Sequence, residues 1–397
     1  MPERHPVCFI LPPYLMEKLL ESKDRDDRRV ALNTLFTTAT LRGERSVRAT
    51  FDGATAPAHG RRTISDCSNG TDLAVADVVR TEDGPAASDE SANRAFDGFG
   101  TTRDFYKQVF DRDSIDGRGM RLDGYVHFST RYNNAFFDGQ EMVFGDGDGV
   151  RFTDFTRSLD VIAHELTHGV TAKLAGLKYH KQSGALNESM SDVFGSLVKQ
   201  WSLGQKADQA DWLIGAEIFT PGVDGDALRS MKAPGEAYDS PVFGKDPQPD
   251  HMNKFVILPD DDDPVNDHGG VHYNSGIPNK AFFLAATGIG GNAWETPGHI
   301  WYESLKASNE DTEFQEFADT THQKAGLLYG SAEQAAVLSA WREVGIRISG
   351  VSPAARPSPR SSGREGDGLA ALMKQIEALS GQLKTLTKDV AALKGKK

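Results

Sequence analysis

Residues 161–170, VIAHELTHGV, place His164 and His168 four apart with Glu165 between them in a helix-forming run. On a helix, positions i and i+4 project from one face about 6 Å apart, so both imidazoles reach one ion. Glu165 then lies beside that ion rather than on it, which suits a base acting on water that the metal activates. Catalytic zinc takes three protein ligands and keeps one position open. Downstream, Met190, Val193, Phe194, Leu197, Val198 and Trp201 recur at helical spacing, which predicts a second amphipathic helix from near Leu186. Glu188 and Asp192 stand one turn apart near its start. One carboxylate can bind the metal while the other accepts a hydrogen bond from a ligating imidazole and fixes its tautomer. HELTHGVTAKL carries no third histidine at the spacing H-E-x-x-H-x-x-G-x-x-H, so a carboxylate third ligand remains.

The elements that must position these groups follow from the rest of the chain. Its 397 residues suffice for two or three ordinary cores, and 38% hydrophobic with 25% charged residues is a globular composition. A net charge of −13 without a basic stripe argues against a nucleic-acid partner. No apolar run approaches the roughly 18 residues of a membrane span. MPERHPVCFILPPYLMEKLL has a short apolar run broken by Pro12 and Pro13, and no Sec signal is read there, leaving leaderless export or a cytoplasmic location. Cys8 and Cys67 are the only cysteines, so no disulfide framework is implied.

Residues 1–45 read as a small separate unit with two short amphipathic helices, YLMEKLLES and RRVALNTLFTTATL. Residues 46–153 are rich in Gly, Asp and Thr, with alternating runs such as GYVHFSTRY and EMVFGDGDGVRF read as strands and turns. GDGDG at 145–149 reads as a tight strand turn, and Asp260–Asp263 as a solvated loop. Residues 154–350 carry long helical patterns interrupted at 220–276. A Pro/Ser/Gly/Arg linker over 351–368 leads to a final helix, 369–394. There Leu369, Leu372, Ile376, Leu379, Leu383, Leu386, Val390 and Leu393 alternate in steps of three and four, a strict heptad that predicts a coiled coil, with a parallel homodimer first and a trimer second.

The run DVIAHELTHGVTAKLAGLKYHKQSGALNESMSDVFGSLV resembles the active-site region of thermolysin-like peptidases, as do RYNNAFFDGQEMVFGDGDG, TPGVDGDALRSM and DHGGVHYNSGIPNKAF. The likeness covers roughly residues 60–348, and the short leader with ILPPYLMEKLL looks like the protealysin branch, whose precursors carry a small propeptide. The resemblance implies a two-domain α+β zincin, β-rich then mainly helical, with the active-site cleft between. It makes His164, His168 and Glu188 the zinc ligands, Glu165 the general base and Asp192 the partner of His164. His272 and Tyr179 become the donors to the oxyanion, with Asp267 orienting His272. Asn134 and the Ala135 carbonyl would hold a peptide extended, which is strand addition to a sheet edge. Arg229 would grip the carbonyl just past the cut, beside a pocket of Phe152, Phe155, Val161, Ile214, Ile218 and Leu228. Such a pocket implies cleavage on the amino side of Leu, Phe, Ile or Val.

One departure from the family is informative. Secreted members carry a double calcium site, of which Asp160 and Asp211 survive here, while Lys199, Leu213 and Ala216 replace other carboxylates. Two hard cations cannot share a site that has lost most of its anionic oxygens and gained an ammonium. The double site is therefore expected to be absent, with one weak site near Thr220, Asp224 and Asp226 left open. The expectation is a zinc endopeptidase made as a precursor inhibited by its own propeptide, acting on peptides and proteins. The alternative is a zinc-stabilised scaffold assembled through the terminal helix. Glu165, Tyr179 and His272 weigh against it, since a structural site has no use for a base or oxyanion donors. Cys8, in HPVCFILPP, is either a thiolate ligand for the open metal position or a small buried hydrophobe.

Overall fold

The computed structural model describes residues 8–48, 61–259 and 266–350. The linker, the heptad helix and the acidic run at 260–263 lie outside them. In chain order the elements are β1 (Cys8–Phe9), α1 (Pro13–Leu20), α2 (Arg25–Arg48), β2 (Arg62–Asp66), β3 (Asp77–Thr81), α3 (Glu90–Phe110), β4 (Leu122–Val126), β5 (Ala135–Phe137) and β6 (Glu141–Phe144). The second half holds α4 (Leu159–Leu174), α5 (Lys181–Leu203), the short strands β7 (Leu213–Ile214), β8 (Arg229–Ser230), β9 (Asp239–Ser240) and β10 (Gly244–Lys245), then α6 (Asp267–Asn274), α7 (Gly276–Ile289), α8 (Thr296–Leu305), α9 (Phe314–Leu328) and α10 (Ser331–Glu343). This is a mixed-sheet N-terminal half joined to a helical C-terminal half.

The sheet runs β1-β5-β6-β4-β2-β3. The β6–β4 and β4–β2 pairs are parallel, and the others antiparallel. Leu122, Gly124 and Val126 of β4 turn inward while Asp123 and Tyr125 are half-exposed, the period-two pattern of a strand with one wetter face. Within GDGDG, Gly147 and Gly149 take positive φ, and the Asp148 carboxylate accepts from the amides of Val150, Arg151 and Phe152. That is a tight turn built on a side-chain acceptor.

Two helices depart from the sequence reading. α3, 21 residues long, lies inside a stretch read as strands and turns. Its glycines disguise it. A side chain on Gly98 would meet Ile162 of α4 at 2.6 Å, so the glycine sits there for helix–helix contact and not for a turn. The Asp89 carboxylate caps the helix through the Ala92 amide. α5 starts at Lys181, ahead of the apolar periodicity that begins near Leu186, because its first turns are packed on α6 rather than on an apolar stripe.

α4 is buried from Asp160 through Thr171, and α5 lies along it. A side chain at Gly195 of α5 would meet the Asp160 carbonyl at 2.6 Å, so the two backbones approach closely there. This contact sets the lateral spacing of the two helices that carry the histidines and Glu188. Asp267, His268, Gly269 and Gly270 all take positive φ before the chain turns into right-handed helix, and this left-handed entry aims His272.

The N-terminal segment adds β1 antiparallel to β5, pairing Cys8 with Phe137 and Phe9 with Phe136. Extended Pro12 then delivers Pro13 to the first turn of α1, where a missing N–H costs nothing. Asp26 and Asp27 at the start of α2 bind Arg131 and Arg151 of the body at 2.7 and 3.0 Å.

Candidate active site

α4 presents His164 and His168 toward Glu188 of α5. The two imidazole Nε2 atoms are 3.0 Å apart, and they lie 3.4 and 3.5 Å from the Glu188 carboxylate oxygens. Among the described residues these three are the one set whose ligand atoms converge, and all are buried. Each imidazole is held from behind: His164 Nδ1 by Asp192 at 2.8 Å and His168 Nδ1 by the Asn187 carbonyl oxygen at 2.8 Å. With Nδ1 thus engaged as a donor, Nε2 is the free lone pair. Glu188 Oε2 is buried with no hydrogen-bond partner. Burial works against charge on His164, yet Asp192 and Glu188 outweigh it and lift its pKa to about 9, so these carboxylates favour a cation at Nε2, where a metal ion takes the place of a proton. Two imidazoles and one carboxylate, itself with an orphaned oxygen, around one point fit zinc.

The remaining groups surround that point. Glu165 follows His164 on the helix and is fully buried. Its Oε2 accepts from the Phe137 amide at 3.1 Å, while Oε1 has no partner. Burial raises its pKa to about 8. Tyr179 hydrogen-bonds through its hydroxyl to Glu188 and lies 3.3 Å from His272 Nε2. Asp267 holds His272 twice, accepting from its amide at 2.8 Å and pairing with Nδ1 at 2.5 Å. Burial opposes charge on His272, but Glu188 and Asp267 raise its pKa overall.

Asp192 joins the metal nest to the cleft wall. Besides His164 it accepts from Arg229 Nε and Nη2 at 2.9 and 2.8 Å and from Asn279 at 2.9 Å. Burial opposes its charge, yet Arg229 and His164 bring its pKa down to about 2. Arg229 is itself 1% exposed, so this is a buried pair whose charges are saturated by geometry.

Two thermolysin metallopeptidase models match the chain, the catalytic domain over residues 43–172 and the alpha-helical domain over 175–346. The chain belongs to the thermolysin family of metallopeptidases. An extracellular metalloprotease from Pectobacterium carotovorum subsp. carotovorum is 44% identical over 345 residues, covering 86% of this chain and 97% of that one. Protease PrtS from Photorhabdus sp. (strain Az29) is 43% identical over 346 residues, covering 85% and 92%. The solved structure of the precursor of protealysin, a metalloproteinase from Serratia proteamaculans, superposes with a TM-score of 0.76 at 44% identity, covering 85% and 99%. This thermolysin-like protein is a zinc endopeptidase in precursor form, with His164, His168 and Glu188 as its zinc site. No helix among the described residues is long and apolar enough to cross a membrane.

The other residues singled out by sequence fall as follows. Asn134 and Ala135 lie at the start of β5, on the edge that β1 covers. Phe152, Phe155, Val161, Ile214, Ile218 and Leu228 are all buried. Phe152 and Phe155 stack at 6.2 Å, and Phe152 also packs on Phe219 and Phe243, giving this wall an aromatic core. Ile214 pairs with Arg229 across β7 and β8. Cys8 lies outside the converging ligand set and packs with Tyr179 and Val271. Lys199 sets its ammonium 2.9 Å from Asp160 and 3.1 Å from Asp211. Asn187 and Asn279 escaped the sequence reading. Asn187, next to Glu188 on α5, had a signal in its position; Asn279, on a different helix, had none.

Proposed function

We propose that this precursor hydrolyses peptide bonds on the amino side of bulky apolar residues, and that its N-terminal segment is the propeptide that blocks the cleft. Glu165 serves as the base that takes a proton from the attacking water and passes it to the leaving amine. His272 and Tyr179 donate to the oxyanion, and Asp267 fixes the His272 tautomer. The zinc, when bound, acts as a Lewis acid and lowers the pKa of water. Asn134 and Ala135 hold the peptide as an added strand, Arg229 takes the next carbonyl, and Asp192 positions Arg229 and His164 together. The six apolar residues from Phe152 to Leu228 form the side-chain pocket, where burying a large apolar group is worth about 1.5–3 kcal/mol.

The observation that carries this reading is the free, buried Oε1 of Glu165 beside the ligand set, next to a β5 edge already filled by a chain segment. A structural metal site has no use for either. The proposal extends to the boundaries read above: a propeptide over 1–45, catalytic halves over 46–153 and 154–350, and a self-associating coiled coil over 369–394. It also includes action outside the cell, in line with the names of its relatives. The Lys199 ammonium takes the part of the double calcium site, and any calcium binds singly and weakly near Thr220, Asp224 and Asp226. Mass spectrometry of peptides released from a denatured protein tests the central claim. Cuts on the amino side of Leu, Ile, Phe and Val are expected, and cuts confined to chain termini would overturn it.

A further inference from the structure

The N-terminal strand sits in the cleft in a definite register. The Phe9 carbonyl lies 3.0 Å from His272 Nε2. The Ile10 amide donates to the Ala135 carbonyl at 3.3 Å, and the Ile10 carbonyl accepts from Arg229 Nη1 at 2.9 Å. The Leu11 amide donates to Asn134 Oδ1 at 3.0 Å. These are the groups assigned above to a substrate: an oxyanion donor, the edge-strand acceptor and the guanidinium on the carbonyl past the cut. One peptide bond is flanked in that order, Phe9–Ile10. A slip of one residue would turn every side chain to the opposite face, so the register is strongly specified. Ile10 is apolar and fully buried, as the residue following the cut should be.

We infer that Phe9–Ile10 is a cleavage site of this enzyme, so that the N-terminal segment is a slow substrate and not only a plug; this rests on the function proposed above. One water is consumed. Its oxygen bonds to the Phe9 carbonyl carbon, the C–N bond to Ile10 breaks, and its protons pass by way of Glu165 to the leaving amine and to solvent. The products are a Phe9 carboxylate and an Ile10 ammonium. The new end at Ile10 stays in place, because Arg229 and Asn134 still hold it and Asp26 and Asp27 still bind Arg131 and Arg151. The cut therefore severs residues 1–9 from the rest of the segment, leaving Cys8 and Phe9 held by their pairing with β5 and their packing, and does not open the side of the cleft beyond the cut. Removal of the remainder of the segment is a separate, later step.

The test uses the full chain, stripped of metal and then given zinc, and followed by intact mass and N-terminal sequencing. A species beginning at Ile10 is expected in wild type and not in Glu165→Gln, appearing while activity on an added peptide stays low. A second readout needs no turnover: in Glu165→Gln, the Ile10 and Leu11 amides exchange slowly with deuterium, and Ile10→Asp speeds that exchange. A parallel sample has its N-terminal segment removed by trypsin. If that sample digests the peptide while the zinc-loaded full chain keeps Phe9–Ile10 intact, the inference falls and the proposed function stands. A first cut at another bond between Cys8 and Pro13, or unprotected amides, overturns the register. Failure of the trypsin-treated sample to cut any peptide overturns the function, and the inference with it.

Discussion

At the scale of single residues, two side chains bear most of the argument. Replacing Glu165 by Gln keeps the shape of the site and removes the proposed proton acceptor. Zinc content measured by mass spectrometry should be unchanged, while kcat falls by several orders of magnitude. Activity near the wild-type level would sink the mechanism. Asp192 holds a zinc ligand and Arg229, the proposed grip on the substrate, at once. Asp192→Asn should weaken zinc binding by roughly 10–100-fold, the range for losing an outer partner of a ligand. It should also raise KM, because Arg229 loses its bidentate anchor. A variant with weaker zinc and an unchanged KM would separate the two roles and refute the coupling. Family resemblance was needed to choose Glu188 over Asp192, but HELTH was legible in the sequence because i, i+4 spacing alone makes two of the ligands neighbours. The Phe137 amide on Glu165 was not, since it depends on where a strand edge meets a helix.

At the scale of elements, α5 carries a lysine that is buried among carboxylates. Lys199→Met would leave the fully buried Asp160 without its cation, keeping only the Ser158 hydroxyl and the Gly215 amide as donors, and breaking such a pair costs about 3–5 kcal/mol. Denaturant unfolding measures this, and a loss under 1 kcal/mol would show that the ammonium is not needed. With Lys199 in place, a calcium-selective chelator should leave the melting temperature almost unchanged. The docking of α2 has a pH dependence of known sign. Hydrogen bonding from Arg131 holds the Asp26 carboxyl below its ordinary value of 3.8. Burial raises that of Asp27, but Arg151 and Ser22 outweigh it and bring it down as well. Both carboxylates thus favour the docked segment above pH 3.8, and that contribution is lost as pH falls below it. Amide protection factors over residues 25–41, corrected for intrinsic exchange, should fall below pH 3.8 in wild type, and Asp27→Asn should flatten the response. Protection factors that do not change with pH would contradict the ion-pair account. The two helices of the N-terminal segment could be located from spacing, though α2 runs on to Arg48 and exposes Leu32 and Phe36, whereas α3 could not, because Gly98 serves a helix contact that only the neighbour Ile162 explains.

At the scale of the whole molecule, the heptad from Leu369 to Leu393 predicts an assembly. Light scattering at micromolar concentration should give a dimeric mass for the full chain and a monomeric one for a chain ending at Gly350, with peptide cleavage unaffected by the truncation. The same monomeric mass for both would rule the coiled coil out. The terms legible in sequence alone were local in character: ligand types at helical spacing and the heptad period. Each depends on residues whose separation along the chain already fixes their geometry. Tertiary structure decided what distant segments do to one another. Asn279 reaches Asp192 across 87 positions, and His272 meets the Phe9 carbonyl across 263. No local period encodes such a pairing. It exists because the five strands from β5 to β3 leave a β5 edge that β1 fills, and the left-handed turn at residues 267–270 aims an imidazole at the strand that fills it.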